Sequence, residues 1–381
     1  MKSLLKQVLK PFGSIGLSCV LVGLLSLLTW LGTLEQVNSG LFDVQKKYFE
    51  SLFLVHWEGP IPIPLPGAYL VMVLLSINLI VGGLVNMRRK RENAGIMITH
   101  VGILFLMLAG FIKLFFSQDG HVSLSPDEEA SSFQSYYRSE IVLFHGMDDG
   151  SVRQIFVPQE TYLGGPGTTL SSAAVPFDLV VNEALRNADV RQKGPMFTVD
   201  APIIDGAYLE HMEPENQAER NRPALHVTLV NKSDGSSQDG ILSTLSRTPW
   251  VVEVDGQRWA LDLRHELYPL PFTIQLDKFT KDDHPGMGMA RSFSSDVTVT
   301  ENGASRQLTI SMNEPLRAQG LVVYQSGFGQ DPNGNTYSDM EVVRNAADQY
   351  PLYACIIIAI GLVLHFSKRL TRYVRAEGKA S

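Results

Sequence analysis

Hydrophobic residues along this chain fall into two regimes. Four apolar runs, at 15–34, 68–85, 96–116 and 351–366, read as membrane-crossing helices, for which about 20 residues suffice. The last run is short, so Tyr350 and Ser367 are expected at its two interfaces. Between the third and fourth runs the pattern changes to period-two or short β-branched segments, at 140–144, 176–181, 224–230, 250–254, 272–276, 296–300, 307–312, 320–324 and 340–343. Turn clusters at 146–150, 164–167, 233–240, 282–288 and 331–335 separate them. This rhythm predicts antiparallel β-sheet, as a sandwich or partly open barrel. The polar stretches 182–191 and 213–222 read as a short helix and a loop. The expected architecture is a membrane protein with four transmembrane helices and a large extracytoplasmic β-rich domain. Residues 1–116 hold three spans, 117–349 the β domain, and 350–381 the fourth span with a basic tail.

The loop 35–66 has its own texture. Leu41, Phe42, Val44, Tyr48, Phe49, Leu52 and Phe53 recur at three- and four-residue steps, with Asp43, Gln45, Lys46, Lys47 and Glu50 between them. That spacing predicts an amphipathic helix, either lying on the outer leaflet or packed beneath the outer domain. Pro62, Pro64 and Pro66 then forbid a helix and require an extended approach to the second run.

Charge sets the orientation. The chain carries a net −7, but 117–349 holds 33 acidic against 17 basic residues while the remainder holds 15 basic against 6 acidic. The basic residues cluster in short flanks: Lys2, Lys6 and Lys10; Arg88, Arg89, Lys90 and Arg91; Lys368, Arg369, Arg372, Arg375 and Lys379. Cytoplasmic flanks carry the excess of Lys and Arg, so these three are expected inside, both termini included, with 35–66 and the acidic body outside. The first run is too long for a signal peptide and lacks a small-residue cleavage site, which makes it an uncleaved anchor. The location implied is a bacterial inner (cytoplasmic) membrane. An acidic body repels phosphate and excludes nucleic acid as a partner. Cys19 and Cys355 both lie within apolar runs and form no CxxC or zinc spacing, which excludes thiol–disulfide chemistry.

Common catalytic fingerprints are absent: no HExxH, GxSxG, P-loop or GxGxxG after a strand. The Asp331, Asn333, Asn335 and Asp339 group reads as a hairpin turn rather than a calcium loop, since the distal Glu is missing. Asp282, Asp283 and His284, followed by Pro285 and Gly286, read as a solvated turn. His121, His145, His211, His226 and His265 show no ligand spacing. The intramembrane His100 and His365 differ, because an ionisable group within lipid is costly unless it meets a partner. Each lies about one turn from the cytoplasmic interface. His365 can snorkel to the interface, and His100 can hydrogen-bond to a neighbouring helix. Either can instead ligate a metal, for neutral imidazole binds iron well.

Several of these residues fall in a recognisable order. Trp30-Leu31-Gly32-Thr33-Leu34-Glu35-Gln36, Asn78, Thr99-His100-Val101-Gly102, Asn313-Glu314-Pro315-Leu316-Arg317 with Gly320, Tyr324-Gln325-Ser326-Gly327, and a last span after Val342-Val343-Arg344-Asn345 together resemble the ResB/CcsB family of cytochrome c biogenesis. The resemblance implies one subunit of a system II cytochrome c synthase. Such a subunit works with a multi-span ResC/CcsA-type partner to carry haem across the membrane and present it to apocytochrome c, and is not catalytic alone. It also implies that His100 is a haem-iron ligand; His365 takes no role from the resemblance and is the weaker cofactor-binding candidate by its position alone. The tryptophan-rich segment of the partner has no counterpart here, since Trp30, Trp57, Trp250 and Trp259 are dispersed. The competing class is a membrane-anchored sensory or scaffold subunit without haem chemistry. Haem in the purified protein discriminates between the two.

Overall fold

A computed structural model describes residues 11–88, 90–147, 150–194, 198–286, 290–330 and 334–377. Lys2, Lys6, Lys10, Arg89, Lys379 and the 331–333 part of the expected turn lie outside the described residues. The chain forms two compact units, one of Met1–Gln118 with Arg344–Ser381 and one of Asp119–Val343.

The first unit is helical. Helix α1 covers Ile15–Val44 and continues as a π-helical turn, Gln45–Phe49; α2 covers Ala68–Asn78 and continues as π-helix through Leu79–Val85; α3 is Ala94–Phe116 and α4 is Tyr350–Glu377. All four are long and apolar enough to cross a membrane. Ser14 caps α1, its Oγ accepting the Leu17 N–H at 3.2 Å. Asn78, buried in α2, donates to the Phe12 and Ser14 carbonyls at 2.6 and 3.0 Å and accepts from Ser18 Oγ at 2.6 Å. A polar side chain placed in an apolar span is thereby satisfied.

The α1 range exceeds its apolar run because it spans two helical segments that meet at a kink, Gly40 (φ 71, ψ 164), a conformation costly for any residue with a Cβ. The chain then folds back, so that Val44, Tyr48 and Phe49 reach Gly32. Val44 and Tyr48 of the amphipathic stretch are thereby buried in the core shared with Leu21, Leu28, Ala68 and Val71, while Leu41, Leu52 and Phe53 stay exposed. The proline-rich segment is a strand: β1 (Phe53–Glu58) and β2 (Ile61–Pro66) form an antiparallel hairpin directly before α2.

The second unit is mainly β-sheet, with short helical turns at Gln159–Tyr162 and Ala218–Arg220, in strands β3 (Gln118–Leu124), β4 (Glu129–Gly146), β5 (Val152–Pro158), β6 (Thr168–Leu170), β7 (Phe177–Leu185), β8 (Ala188–Gln192), β9 (Ala207–His211), β10 (Ala224–Asn231), β11 (Ser237–Ser243), β12 (Trp250–Val254), β13 (Gln257–Asp283), β14 (Ala290–Glu301), β15 (Ala304–Ser311), β16 (Leu316–Ala318), β17 (Leu321–Gln330) and β18 (Thr336–Arg344). A ten-stranded sheet runs β15-β14-β13-β4-β3-β18-β17-β16, with β12 beside β13 and β5 beside β4; a four-stranded sheet runs β11-β10-β7-β6. The pairings described are antiparallel. One apolar core joins Ile141, Leu261 and Trp259 to Phe177, Val227 and Leu242 of the smaller sheet; a second gathers Phe133, Ile274, Val297, Val323 and Met340.

The expected helix at 182–191 is instead strand, in β7 and β8. Its polar side chains are used across strands: Asn182 Nδ2 donates to Thr228 Oγ1 at 2.7 Å, and Arg191 pairs with Glu210 at 2.8 Å. Polarity there marks a solvent-facing sheet surface, and not a helix. Asp282 and Asp283 close β13, Asp282 accepting from Ser292 Oγ at 3.3 Å and Asp283 pairing with Lys281 at 2.9 Å. Gln325 organises a buried polar staple, accepting from Ser295 Oγ at 2.6 Å and donating to Ser338 Oγ and the Gly327 carbonyl, both at 2.9 Å. It ties β14, β17 and β18 together with its partners satisfied, the condition under which buried polarity specifies one arrangement.

Candidate functional site

The first of two helix contacts that build the site joins α3 to α4. A Cβ on Gly95 would meet the His365 backbone nitrogen at 2.6 Å and the Gly361 carbonyl at 2.7 Å, while one on Gly361 would meet the Thr99 nitrogen at 2.6 Å. Gly95, Thr99 and Gly102 recur on one face of α3, and Ile358 and Gly361 answer them on α4. Small residues of this kind let two spans approach closely, where dispersion and not water drives association. Gly102 therefore admits a helix, Ile358 lying 2.7 Å from where its Cβ would stand. On the same side, Lys368 Nζ donates to the Arg91 carbonyl at 2.7 Å and Arg372 pairs with Glu92 at 3.1 Å.

The second contact joins α3 to α2, and His100 makes it. Its Nδ1 lies 3.1 Å from the Gly83 carbonyl, and a Cβ on Gly83 would sit 2.5 Å from that nitrogen. Gly83 belongs to the last turn of the π-helical end of α2, where carbonyls lack partners along their own helix. A carbonyl only accepts, so Nδ1 is the donor, and in the neutral tautomer this selects, the lone pair lies on Nε2. Histidines that ligate metals are commonly oriented this way, one nitrogen donating to a carbonyl while the other coordinates. The helix-to-helix hydrogen bond and the ligand role are therefore compatible, since they use opposite nitrogens. Single π-helical segments also concentrate at functional sites.

His365 occupies a different contact. Its backbone lies against Gly95, five residues and thus about 7.5 Å along the axis from His100. Its ring packs edge-on to Phe366, with centroids 5.3 Å apart. Among the described residues no group of three or more His, Cys, Asp or Glu is placed to hold a metal ion. Haem iron needs only axial ligands from protein, because the macrocycle supplies the other four, and His100 with its free Nε2 fits that smaller demand.

Sequence reasoning missed a second cluster, at the far end of α1. Tyr48 Oη lies 2.5 Å from both Glu35 Oε2 and His56 Nδ1, and Lys47 Nζ donates to Glu35 Oε1 at 2.7 Å. The single phenolic proton goes to the carboxylate, which can only accept, so His56 Nδ1 donates to Tyr48. The cluster pins the folded-back turn and the hairpin to α1. The signal available was Glu35 itself, an acid closing an otherwise apolar run.

Residues 240–349 match the model of the ResB-like family. This stretch is ResB-like. No curated protein matches the chain in a sequence comparison. The ResB-like stretch starts within β11, contains the Gln325 staple and ends one residue before α4. Tyr324-Gln325-Ser326-Gly327, one of the motifs carrying the resemblance, thus has a structural role in the sheet.

The β unit also holds two histidines in unfavourable surroundings for charge. His121 stacks on Tyr136, centroids 4.9 Å apart, and the Nδ1 atoms of His121 and His265 are buried without a hydrogen-bond partner. Burial pushes both rings below the ordinary value of 6.5, and the neighbouring His121 lowers His265 further. A depressed folded value means that the unfolded chain binds protons first, so stability is intact above pH 6.5 and declines as pH falls below it. Thermal unfolding of the full-length protein, followed by near-ultraviolet circular dichroism, should move to lower temperature between pH 7 and pH 5. A His121→Phe, His265→Gln variant should flatten that slope; an unchanged slope would show that other groups set it.

Proposed function

We propose that this protein is the ResB-type subunit of a cytochrome c synthase, and that His100 offers an axial nitrogen to haem in transit through the membrane. The ResB-like stretch at 240–349 supports a role in cytochrome c biogenesis. The observation that carries the finer reading is the Nδ1 hydrogen bond to the Gly83 carbonyl, which leaves Nε2 as a coordinating lone pair. Among the polar residues of the resemblance, Glu35, Asn78 and Gln325 are engaged in structural hydrogen bonds. His100 alone of these four retains a coordinating atom suited to iron.

Bound haem would supply an iron that takes up to two axial ligands and cycles between oxidation states. What this chain contributes is a fixed imidazole, its tautomer set by Gly83. Four helices leave room for one side of such a site, so a ResC/CcsA-type multi-span protein supplies the remainder, and apocytochrome c is the acceptor. The flank charges orient the assembly with both termini cytoplasmic and the β unit outside.

Co-expression tests the reading. In a strain lacking its own synthase, this chain with a ResC/CcsA-type protein should yield holocytochrome c and a haem absorption band in the purified complex, whereas this chain alone should yield no holocytochrome. Full maturation by the chain alone would overturn the partnership. Reporter fusions after Asn93 and after Arg375 should read cytoplasmic, and a fusion at Ser236 external; an external signal at Asn93 would reverse the orientation.

A further inference from the structure

We propose that the β1–β2 hairpin is a membrane-interface element, with its Phe53, Val55 and Trp57 face lying in the lipid boundary at the distal end of the first two spans. The inference rests on the helical unit and is independent of the haem reading.

The hairpin has two unlike faces. Leu54 is buried in the helical core, and His56 on the same face is held by Tyr48. Phe53, Val55 and Trp57 point the other way and are 73%, 44% and 60% exposed. The register sets Pro66, Pro64 and Pro62 beside them, so this face carries no charge and no side-chain hydrogen-bonding group other than the indole N–H.

Depth argues for lipid as the occupant. The hairpin is rooted where the Gly67 N–H donates to the Leu52 carbonyl at 2.8 Å, just after the turn in which Tyr48 and Phe49 lie against Gly32. Gly32 is seventeen residues beyond Ile15, or about 26 Å along α1, against a hydrocarbon core of about 30 Å. The root of the hairpin therefore lies at the boundary, where Trp and other aromatic rings concentrate. Trp30 and Leu34, on either side of Gly32 in α1, are also exposed.

The free edge of β2 agrees. Because Leu52 and Gly67 share a hydrogen-bonded pair, so do Leu54 with Leu65, His56 with Ile63 and Glu58 with Ile61. The outward-facing positions of β2 are then 62, 64 and 66, and each is proline. An edge N–H facing water is satisfied by solvent, but one submerged in lipid is left unpaired at a cost of several kcal/mol. Proline at all three positions removes those donors. The charged and polar groups at the same depth, Glu35, Lys47, Tyr48 and His56, satisfy one another.

The test uses the full-length chain with Cys19→Ser and Cys355→Ser, and one added cysteine carrying an NBD fluorophore, in nanodiscs of phosphatidylcholine and phosphatidylglycerol. Probes at Val55→Cys and, separately, Trp57→Cys should be quenched about twofold or more by lipid bearing a nitroxide near its headgroup, and little by aqueous iodide. A Ser236→Cys probe in the β unit should show the reverse. Iodide quenching at 55 and 57 equal to that at 236 would overturn the proposal, as would shielding from both quenchers, which would mean that protein covers this face. Native-like circular dichroism of each labelled variant shows that the fold is retained.

Discussion

Replacing His100 by asparagine should remove haem from the assembled complex while leaving the helical unit as stable as before. The asparagine amide can stand where Nδ1 stands and keep the bond to the Gly83 carbonyl, but it offers iron no equivalent of Nε2. His100→Ala loses both contacts. Both variants should lower co-purifying haem and holocytochrome yield at least about tenfold, the lower end of the effect seen when a metal ligand loses only its outer-shell partner. Only the alanine variant should lower the unfolding temperature of the protein in detergent. Gly83→Ala approaches the same site from the other side. Its Cβ would press on Nδ1 at 2.5 Å, so the imidazole must move and haem content should fall although every histidine remains. If His100→Asn keeps a normal haem band and normal maturation, His100 serves as the cap of α2 and the iron is held elsewhere in the complex.

The seam between α3 and α4 is expected to tolerate no added volume. Gly95→Val and Gly361→Val should each destabilise the helical unit by about 3 kcal/mol, at the upper end of overpacking effects, because the atoms met are largely backbone of the facing helix and cannot rotate aside. Gly110→Val is the matched control, since a Cβ there meets nothing within 4 Å. Thermal unfolding in detergent, followed by far-ultraviolet circular dichroism, should place both seam variants well below the wild type and the Gly110 variant close to it. Equal behaviour of all three would mean that the two helices are not in contact through this face. Haem content should fall in the seam variants as well, because α3 carries His100 and its position depends on both neighbours.

Much of this architecture was legible without coordinates. Apolar runs mark the four spans because a helix satisfies its own backbone, so length and hydrophobicity alone define a crossing segment. Alternation in the acidic body marked strands such as 224–230 and 296–300, where one face is buried and the other wet. The same logic failed at 182–191, where both visible faces are polar and alternation carries no signal. It also found only 272–276 of the long strand β13, although Trp259, Leu261 and Leu263 alternate with Ala260, Asp262 and Arg264 before Pro269 and Pro271 break the pattern.

His100 was recognisable as an anomaly because ionisable residues in lipid need a reason. Its chemistry was not recognisable. Which nitrogen is occupied depends on Gly83, seventeen residues away on another helix, and on a π-helical end that no local propensity announces. The cluster of Glu35, Tyr48 and His56 likewise forms only because Gly40 turns the chain back on α1. Composition and periodicity are properties of neighbours along the chain, and they marked the spans, the more regular strands and the charge of each segment. Tautomers, helix seams and the two faces of the hairpin arise from residues brought together through space, and only the tertiary structure could decide them.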